Sequence, residues 1–323
     1  MWKYIARRLL LMIPVFLGIT LVTFFIIHLA PGSPSDLLAE AGPRVSYEAR
    51  ARLEKLYGLG QPIHIQYLRW LKRFVVLDFG RSFRDERPVI DKILERLPAT
   101  ILLEGLSLLF IFLIAIPIGV LSAAKQYSAF DKSTTLLVFI GFSVPSFWLA
   151  LMLMDVFGVR FNILPISGIR DIGSEYLPFW GRMLDTLKHL VLPVFVSAFT
   201  GLASVSRYTR AAMLEAIRQD YIRTARAKGL DENTVIYRHA LRNAMLPVVT
   251  LIGFSIPGLI GGSFIIETIF AWPGMGRLGF NAIMARDYPV IMGVGVISAF
   301  LTLAGNLVAD ILYAVVDPRI RYR

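Results

Sequence analysis

The chain has 323 residues, of which 56% are hydrophobic and 18% charged, against about 45–50% and about 25% in soluble domains. A soluble core would not need six apolar runs of membrane-crossing length, so the composition excludes an ordinary soluble domain and implies one all-α integral membrane domain with six transmembrane helices. The net charge of +11 then reads as Lys and Arg gathered on cytoplasmic loops, with membrane lipid rather than nucleic acid as the partner.

Lys3, Arg7 and Arg8 precede an apolar run over residues 9–30. A signal peptide has the same order, but its apolar region is only about 7–15 residues and ends at a small-residue cleavage site. The run here is longer and has no such site, so it reads as the first membrane helix with its basic end inside. Pro31-Gly32-Ser33-Pro34 stops it. Residues 31–98 then form an extracytoplasmic helical loop region. In it, Ala49, Leu53, Leu56 and Tyr57 make a short helical stripe that ends at Gly58. Pro62 opens another helix as its first residue, with Leu68, Leu71 and Val75 on one face and Trp70 and Phe74 beside it. The region is either a subdomain packed on the membrane face or a contact site for a protein on that side.

Span two is expected over residues 99–124, with Glu104 and Pro117 inside. Span three is expected over 134–159, with Pro145 and Asp155 inside. The link between them carries Lys125, Asp131 and Lys132; a short loop of this kind obeys the positive-inside rule and is cytoplasmic. A second outer loop, rich in Gly and Pro, covers 160–186, and span four covers 187–206. Spans five and six are expected at 247–270 and 290–316, and the tail adds Arg319, Arg321 and Arg323. Both ends of the chain, the 125–133 link and the 207–246 loop are basic, so all four fall on the cytoplasmic side. The plan is therefore residues 1–30, residues 31–98, and a five-helix core over 99–323 that contains the 207–246 loop. The chain is multi-pass in a cytoplasmic membrane.

Several chemistries lack their residues. No G-x-x-x-x-G-K-[ST] loop is present to cradle nucleotide phosphates, and no H-E-x-x-H; His239 has no neighbouring metal partner. Gly141-Phe142-Ser143-Val144-Pro145 departs from G-x-S-x-G at its last position. Cysteine is absent, which rules out disulfides and thiol nucleophiles. No catalytic residue, bound cofactor or metal site is expected. Glu104, Asp155 and Asp310 lie inside apolar runs, each within a turn or two of an expected end. An ATP-independent secondary carrier or channel, the alternative reading, would show a charged relay at mid-membrane.

Residues 211–247 are the longest polar interval in the C-terminal two-thirds of the chain. Met213, Ile217, Tyr221 and Ala225 recur every four residues and predict one helix face closed by Gly229, a residue suited to a left-handed position. Arg218, Arg223, Arg226 and Lys228 suit the C-terminal end of that helix. Asp231 then caps a second helix over 232–245, which stops before Pro247. The result is a helix–turn–helix projecting from the bilayer, whose small residues Ala225, Ala227 and Gly229 let it enter a groove. A surface hairpin lying on anionic lipid is the plainer reading.

Asp220-Tyr221-Ile222-Arg223-Thr224-Ala225-Arg226-Ala227-Lys228-Gly229-Leu230, followed by Arg238-His239-Ala240-Leu241-Arg242-Asn243-Ala244-Met245-Leu246-Pro247, resembles the coupling loop of bacterial ATP-binding-cassette importer permeases. It is most similar to the B-type subunits of the dipeptide/oligopeptide/nickel family. The general pattern of such loops is Glu-Ala-Ala, three residues, Gly; here Arg223-Thr224 replace Glu-Ala, while Ala225 and Gly229 match. The resemblance extends through Asp78-Phe79-Gly80-Arg81-Ser82, Leu97-Pro98-Ala99-Thr100, Glu267-Thr268-Ile269-Phe270, Pro273-Gly274-Met275-Gly276-Arg277-Leu278 and Arg286-Asp287-Tyr288-Pro289. It implies a type I importer permease fold and four kinds of partner. These are a second, C-type permease subunit, two ATP-binding subunits that hold ATP and Mg, and an extracytoplasmic substrate-binding protein. It also implies an ATPase-coupling role for Asp220, Tyr221, Arg223, Thr224, Ala225, Lys228 and Gly229. Dipeptides, oligopeptides, nickel complexes, glutathione and small oligosaccharides are carried by similar permeases.

Overall fold

Long apolar runs can satisfy their backbone in lipid only by coiling into helices, and the computed structural model, which describes residues 2–29, 61–256 and 258–316, is helical almost throughout. Among the described residues the one β-type contact is an isolated bridge between Arg81 and Pro88. Helix α1 covers Trp2–Leu29, α2 Ile63–Val75 and α3 Val89–Ala124; α4 covers Ala129–Ser143 and α5 Ser146–Leu153, which continues as a π-helical turn over Met154–Arg160. Helix α6 covers Phe179–Ile217 and α7 Asp220–Ala227. A π-helical stretch over Thr234–Ala240 leads into α8, Leu241–Ser255. Then come α9 (Gly258–Gly261), α10 (Phe264–Ile269), α11 (Met275–Met284) and α12 (Tyr288–Val316). The expected stop at 31–34, the stripe from Ala49 to Gly58 and the arginines of the tail lie outside the described residues.

Among the described residues four helices, α1, α3, α6 and α12, are long and apolar enough to cross a bilayer. Spans three and five are not single helices. Val144, extended as the residue before a proline prefers, and Pro145 separate α4 from α5, and the two are bent by 100°. Counted as one broken span, they make a fifth crossing. The apolar run expected as span five divides into α8, α9 and α10, with Gly262 left-handed at φ +63° and Ser263 capping α10 through a 3.4 Å bond from the Ile266 N–H. Helix α6 has 39 residues, about 58 Å at 1.5 Å per residue, so it is much longer than a hydrocarbon core of about 30 Å is thick.

The α3–α6 pair forms the most extensive helix contact. Two glycines set its closeness. A Cβ on Gly201 would lie 2.4 Å from Ile111, and one on Gly119 would lie 2.6 Å from the Thr209 side chain. The amphipathic α2 packs on α1 and α12, but not on the face expected. Leu68 and Val75 are exposed, while Tyr67 is buried with Phe24 and its hydroxyl lies 3.0 Å from that of the buried Thr20. Ile63, Trp70, Leu71 and Phe74 pack against the same cluster. Pro62 stands just before the helix rather than inside it. The 61–98 segment is thus a structure packed on the chain's own membrane helices.

Sequence motifs far apart in the chain meet as pairs. Glu267, fully buried, accepts from the Thr100 hydroxyl at 2.9 Å and from the Arg277 N–H at 2.7 Å. The same Thr100 oxygen accepts from the Met275 N–H at 2.7 Å, and the buried Trp272 indole donates to the Ala99 carbonyl at 2.9 Å. Gly274 leaves the room for this carboxylate, since a Cβ there would lie 2.3 Å from it. Likewise the Ser82 hydroxyl and the Phe83 N–H donate to the buried Asp287 carboxylate. Two of the three acidic residues in apolar runs pair with cations: Arg8 reaches Asp310 at 3.0 Å, tying α1 to α12, and Arg160 reaches Asp155 at 2.8 Å. Glu104 is not near a helix end, because α3 begins at Val89, well before the expected start of span two.

Candidate coupling surface

Polar side chains alone would leave residues 211–246 unanchored in water; eight buried apolar positions, Met213, Ala216, Ile222, Ala225, Val235, Ile236, Ala240 and Ala244, hold them. Helix α6 does not run on through this stretch. It ends at Ile217, Gln219 turns extended, and α7 restarts at Asp220. The four-residue stripe is therefore cut. Met213 and Ala225 are buried, Ile217 is half-buried, and Tyr221 is 39% exposed. The buried face of α7 is Ile222 and Ala225, a three-residue spacing on one side of a helix. They pack against Met213 and Ala216 of α6, Val120 and Ala123 of α3, and Val235, Ile236 and Ala240 of the π-helical stretch. This cluster joins the short α7 to the adjoining ends of the two longest helices.

The C-terminus of α7 closes as the glycine signal predicts. Gly229 sits at φ +77°. Its N–H donates to the Arg226 carbonyl at 2.9 Å, and the Leu230 N–H donates to the Ala225 carbonyl at 3.4 Å, the paired bonds of a Schellman motif. Asp231 caps the next segment as expected, accepting from the Thr234 N–H at 3.0 Å. Those hydrogen bonds from Thr234 hold the Asp231 carboxyl below its ordinary value. The second helix does not stop before Pro247. It continues through the π-helical stretch into α8, and Pro247 lies inside α8. A proline lacks one backbone donor and bends a helix without ending it when neighbours support the chain.

Arg226 forks onto Glu232 across the turn, at 3.0 and 2.6 Å. The fork draws the Glu232 carboxyl below its ordinary value and raises the guanidinium. Arg223 makes only an exposed 3.4 Å contact with Asp220, and the Thr224 hydroxyl bonds the Asp220 carbonyl at 3.0 Å. Asp220, Tyr221, Arg223, Thr224, Lys228 and Gly229 are exposed; Ala225 is not, so it anchors the helix instead of reaching outward.

Three features here escaped sequence reasoning. Ile222 was overlooked because the assumed continuous helix put Tyr221 on its inner face. Tyr237, 49% exposed on the π-helical stretch, falls outside any simple periodicity. The third is a clamp: Arg210 of α6 forks onto the buried Asp131 at 2.6 and 2.8 Å, while Asp131 also accepts from the Tyr127 N–H at 2.9 Å. It locks the 125–131 link against α6. Only the unlike charges on two basic segments hinted at it.

Helix α7 is thus short, with an exposed outer face and an inner face fastened to membrane helices. Comparison with known proteins decides the family. The model of the binding-protein-dependent transport system inner membrane component matches residues 115–322, and that of the N-terminal part of such membrane components matches residues 1–104. The chain belongs to this family of transport-system permeases. Family members similar to it include the oligopeptide transport system permease protein AppB of Bacillus subtilis, 47% identical, and the dipeptide transport system permease protein DppB of Escherichia coli K12, 41% identical. A putative peptide transport system permease protein of Brucella abortus is 42% identical. Each alignment covers 100% of this chain and 100% of the relative. The helical architecture of the described residues is that of an inner-membrane permease component.

Proposed function

We propose that this chain is the B-type permease subunit of an ATP-binding-cassette importer that carries dipeptides or oligopeptides across the cytoplasmic membrane, with both of its termini inside. It would pair with a C-type permease to frame the pathway across six spans. Two ATP-binding subunits would hold ATP and Mg and hydrolyse the nucleotide, and an extracytoplasmic binding protein would deliver the substrate. The permease itself carries out no chemistry. The full-length likeness to oligopeptide and dipeptide permeases supports the substrate class.

The observation that carries the coupling assignment is the build of α7. Its inner residues Ile222 and Ala225 share one apolar cluster with the ends of α3 and α6, and its outer residues Asp220, Tyr221, Arg223, Thr224 and Lys228 are free to meet a partner. Closure of the ATP-binding subunits would move α7, and a close-packed cluster passes such a displacement to its neighbours rather than absorbing it. Helices α3 and α6 would then reorient together.

The test is Gly229→Pro in the assembled importer, since proline can neither adopt φ +77° nor donate the closing N–H. The variant should insert normally, yet lose peptide uptake and transport-coupled ATP hydrolysis. Normal uptake by it sinks the coupling role. A secondary carrier would instead transport without ATP-binding subunits, so failure of such subunits to co-purify with a transport-competent chain would favour that reading.

A further inference from the structure

Three side chains that the transport reading does not use meet at the end of α6 opposite the coupling helix. Asp171, in the loop before α6, and Asp185 and His189, in its first three turns, hold ligand atoms within 4.8 Å of one another. His189 is 4% exposed and Asp185 8%, whereas the Asp171 side chain opens to solvent.

The tautomer of His189 follows from its hydrogen bond. Nδ1 lies 2.9 Å from the Asp185 carbonyl oxygen, which can only accept, so Nδ1 carries a hydrogen and Nε2 is the nitrogen whose lone pair can take a cation. That lone pair faces Asp171 Oδ1 at 3.5 Å. A cation between them, either a proton or a metal ion, favours two electron-pair donors held face to face. The distance separates the two. A charge-assisted N–H···O bond closes to about 2.7–2.9 Å. Two ligands at about 2.1 Å from a tetrahedral zinc stand about 3.4 Å apart. The observed spacing matches the metal.

Asp185 is the third donor. Its Oδ2 accepts from the Asp171 N–H at 3.0 Å, which holds loop and helix together, and its Oδ1 lies 3.3 Å from His189 Nδ1. Arg170 donates to the Thr186 hydroxyl at 2.8 Å, so the loop is tied to α6 on both sides of the cluster. A histidine that donates its other nitrogen to a backbone carbonyl is the usual support of a metal ligand.

We propose that Asp171, Asp185 and His189 form a divalent-cation site of the zinc type, with one nitrogen and two carboxylate oxygens from the chain and water on the open Asp171 side. Imidazole with carboxylates suits zinc and its first-row neighbours; magnesium and calcium prefer oxygen alone. The ion would staple the loop before α6 to the membrane helix, independently of what the permease carries.

The test uses the purified full-length chain in detergent, freed of metal by a chelator and titrated with Co2+ in place of Zn2+. Wild type should take up one Co2+ with the visible absorption of a tetrahedral complex, and Zn2+ should displace it. Asp171→Asn, which alters an exposed side chain, and His189→Gln should each weaken binding by about tenfold or more. The proposal is overturned if wild type binds no Zn2+-displaceable Co2+, or if Asp171→Asn binds as tightly as wild type.

Discussion

Replacing Gly229 with asparagine, alanine and valine should lower transport in that order. The cost can be worked from the turn itself. Gly229 sits at φ +77°, and a Cβ built there meets no heavy atom within 4 Å. Clash therefore contributes nothing, and the whole penalty is that of a side chain in a left-handed backbone, about 1–2 kcal/mol for alanine. Asparagine enters this region more readily, and a β-branched residue less so. A loss of 1–2 kcal/mol changes the equilibrium of the closed turn by about 5–30-fold. Two measurements follow it. Amide exchange at Gly229 and Leu230, whose N–H groups make the closing bonds, should quicken by that factor in the alanine variant. In reconstituted importer, ATP hydrolysis stimulated by the substrate-loaded binding protein should fall in the same rank order, with membrane insertion unchanged. A valine variant as active as wild type, or an asparagine variant less active than alanine, would refute the reasoning, because neither fits a purely backbone cost.

Other outcomes can be checked alongside. Asp131→Asn removes the charge from the buried fork to Arg210; bonds to charged groups are worth about 1.5–3 kcal/mol, so the detergent-solubilised chain should melt several degrees lower, and an unchanged melting point would show that the clamp carries no load. Gly274→Ala forces a Cβ to within 2.3 Å of the Glu267 carboxylate, whereas Gly18→Ala meets nothing within 4 Å; the first should collapse the yield of monodisperse protein and the second should not. Glu232 is bound as a carboxylate by Arg226, with its pKa lowered from 4.5. Its contribution is therefore complete above pH 4.5 and is lost as pH falls through the lowered value. Both side chains are more than a third exposed, so the loss stays under about 1 kcal/mol. Amide exchange across 226–232 should quicken slightly in that acid range, and Glu232→Gln should abolish the step.

The residues of the coupling surface were legible to different depths. Gly229, Asp231 and the positive charge around them are local signals, and the structure contains the turn and cap that they imply. The inner face of α7 was misread because a four-residue period continues smoothly from Met213 to Ala225, while the backbone breaks at Arg218 and Gln219. Periodicity reports which residues could share a face of one helix, and it is blind to an interruption that contains neither Gly nor Pro. The same blindness let Pro247 pass as a stop. Proline disfavours a helix, but the segments packed around α8 outweigh that preference.

Membrane residence and helical class were decided by the sequence alone, since apolar runs longer than a bilayer is thick have few other ways to bury their backbone polar groups. The left-handed turn at Gly229 was decided there too, because it depends on the conformational reach of a single residue. The pairings were decided only by the tertiary structure. Thr100 meets Glu267 across 167 positions, Ser82 meets Asp287 across 205, and Arg210 meets Asp131 across 79. No local propensity links residues so distant. Each polar group needs a partner once it leaves water, but which partner it finds depends on how α3, α6 and the broken fifth span pack side by side.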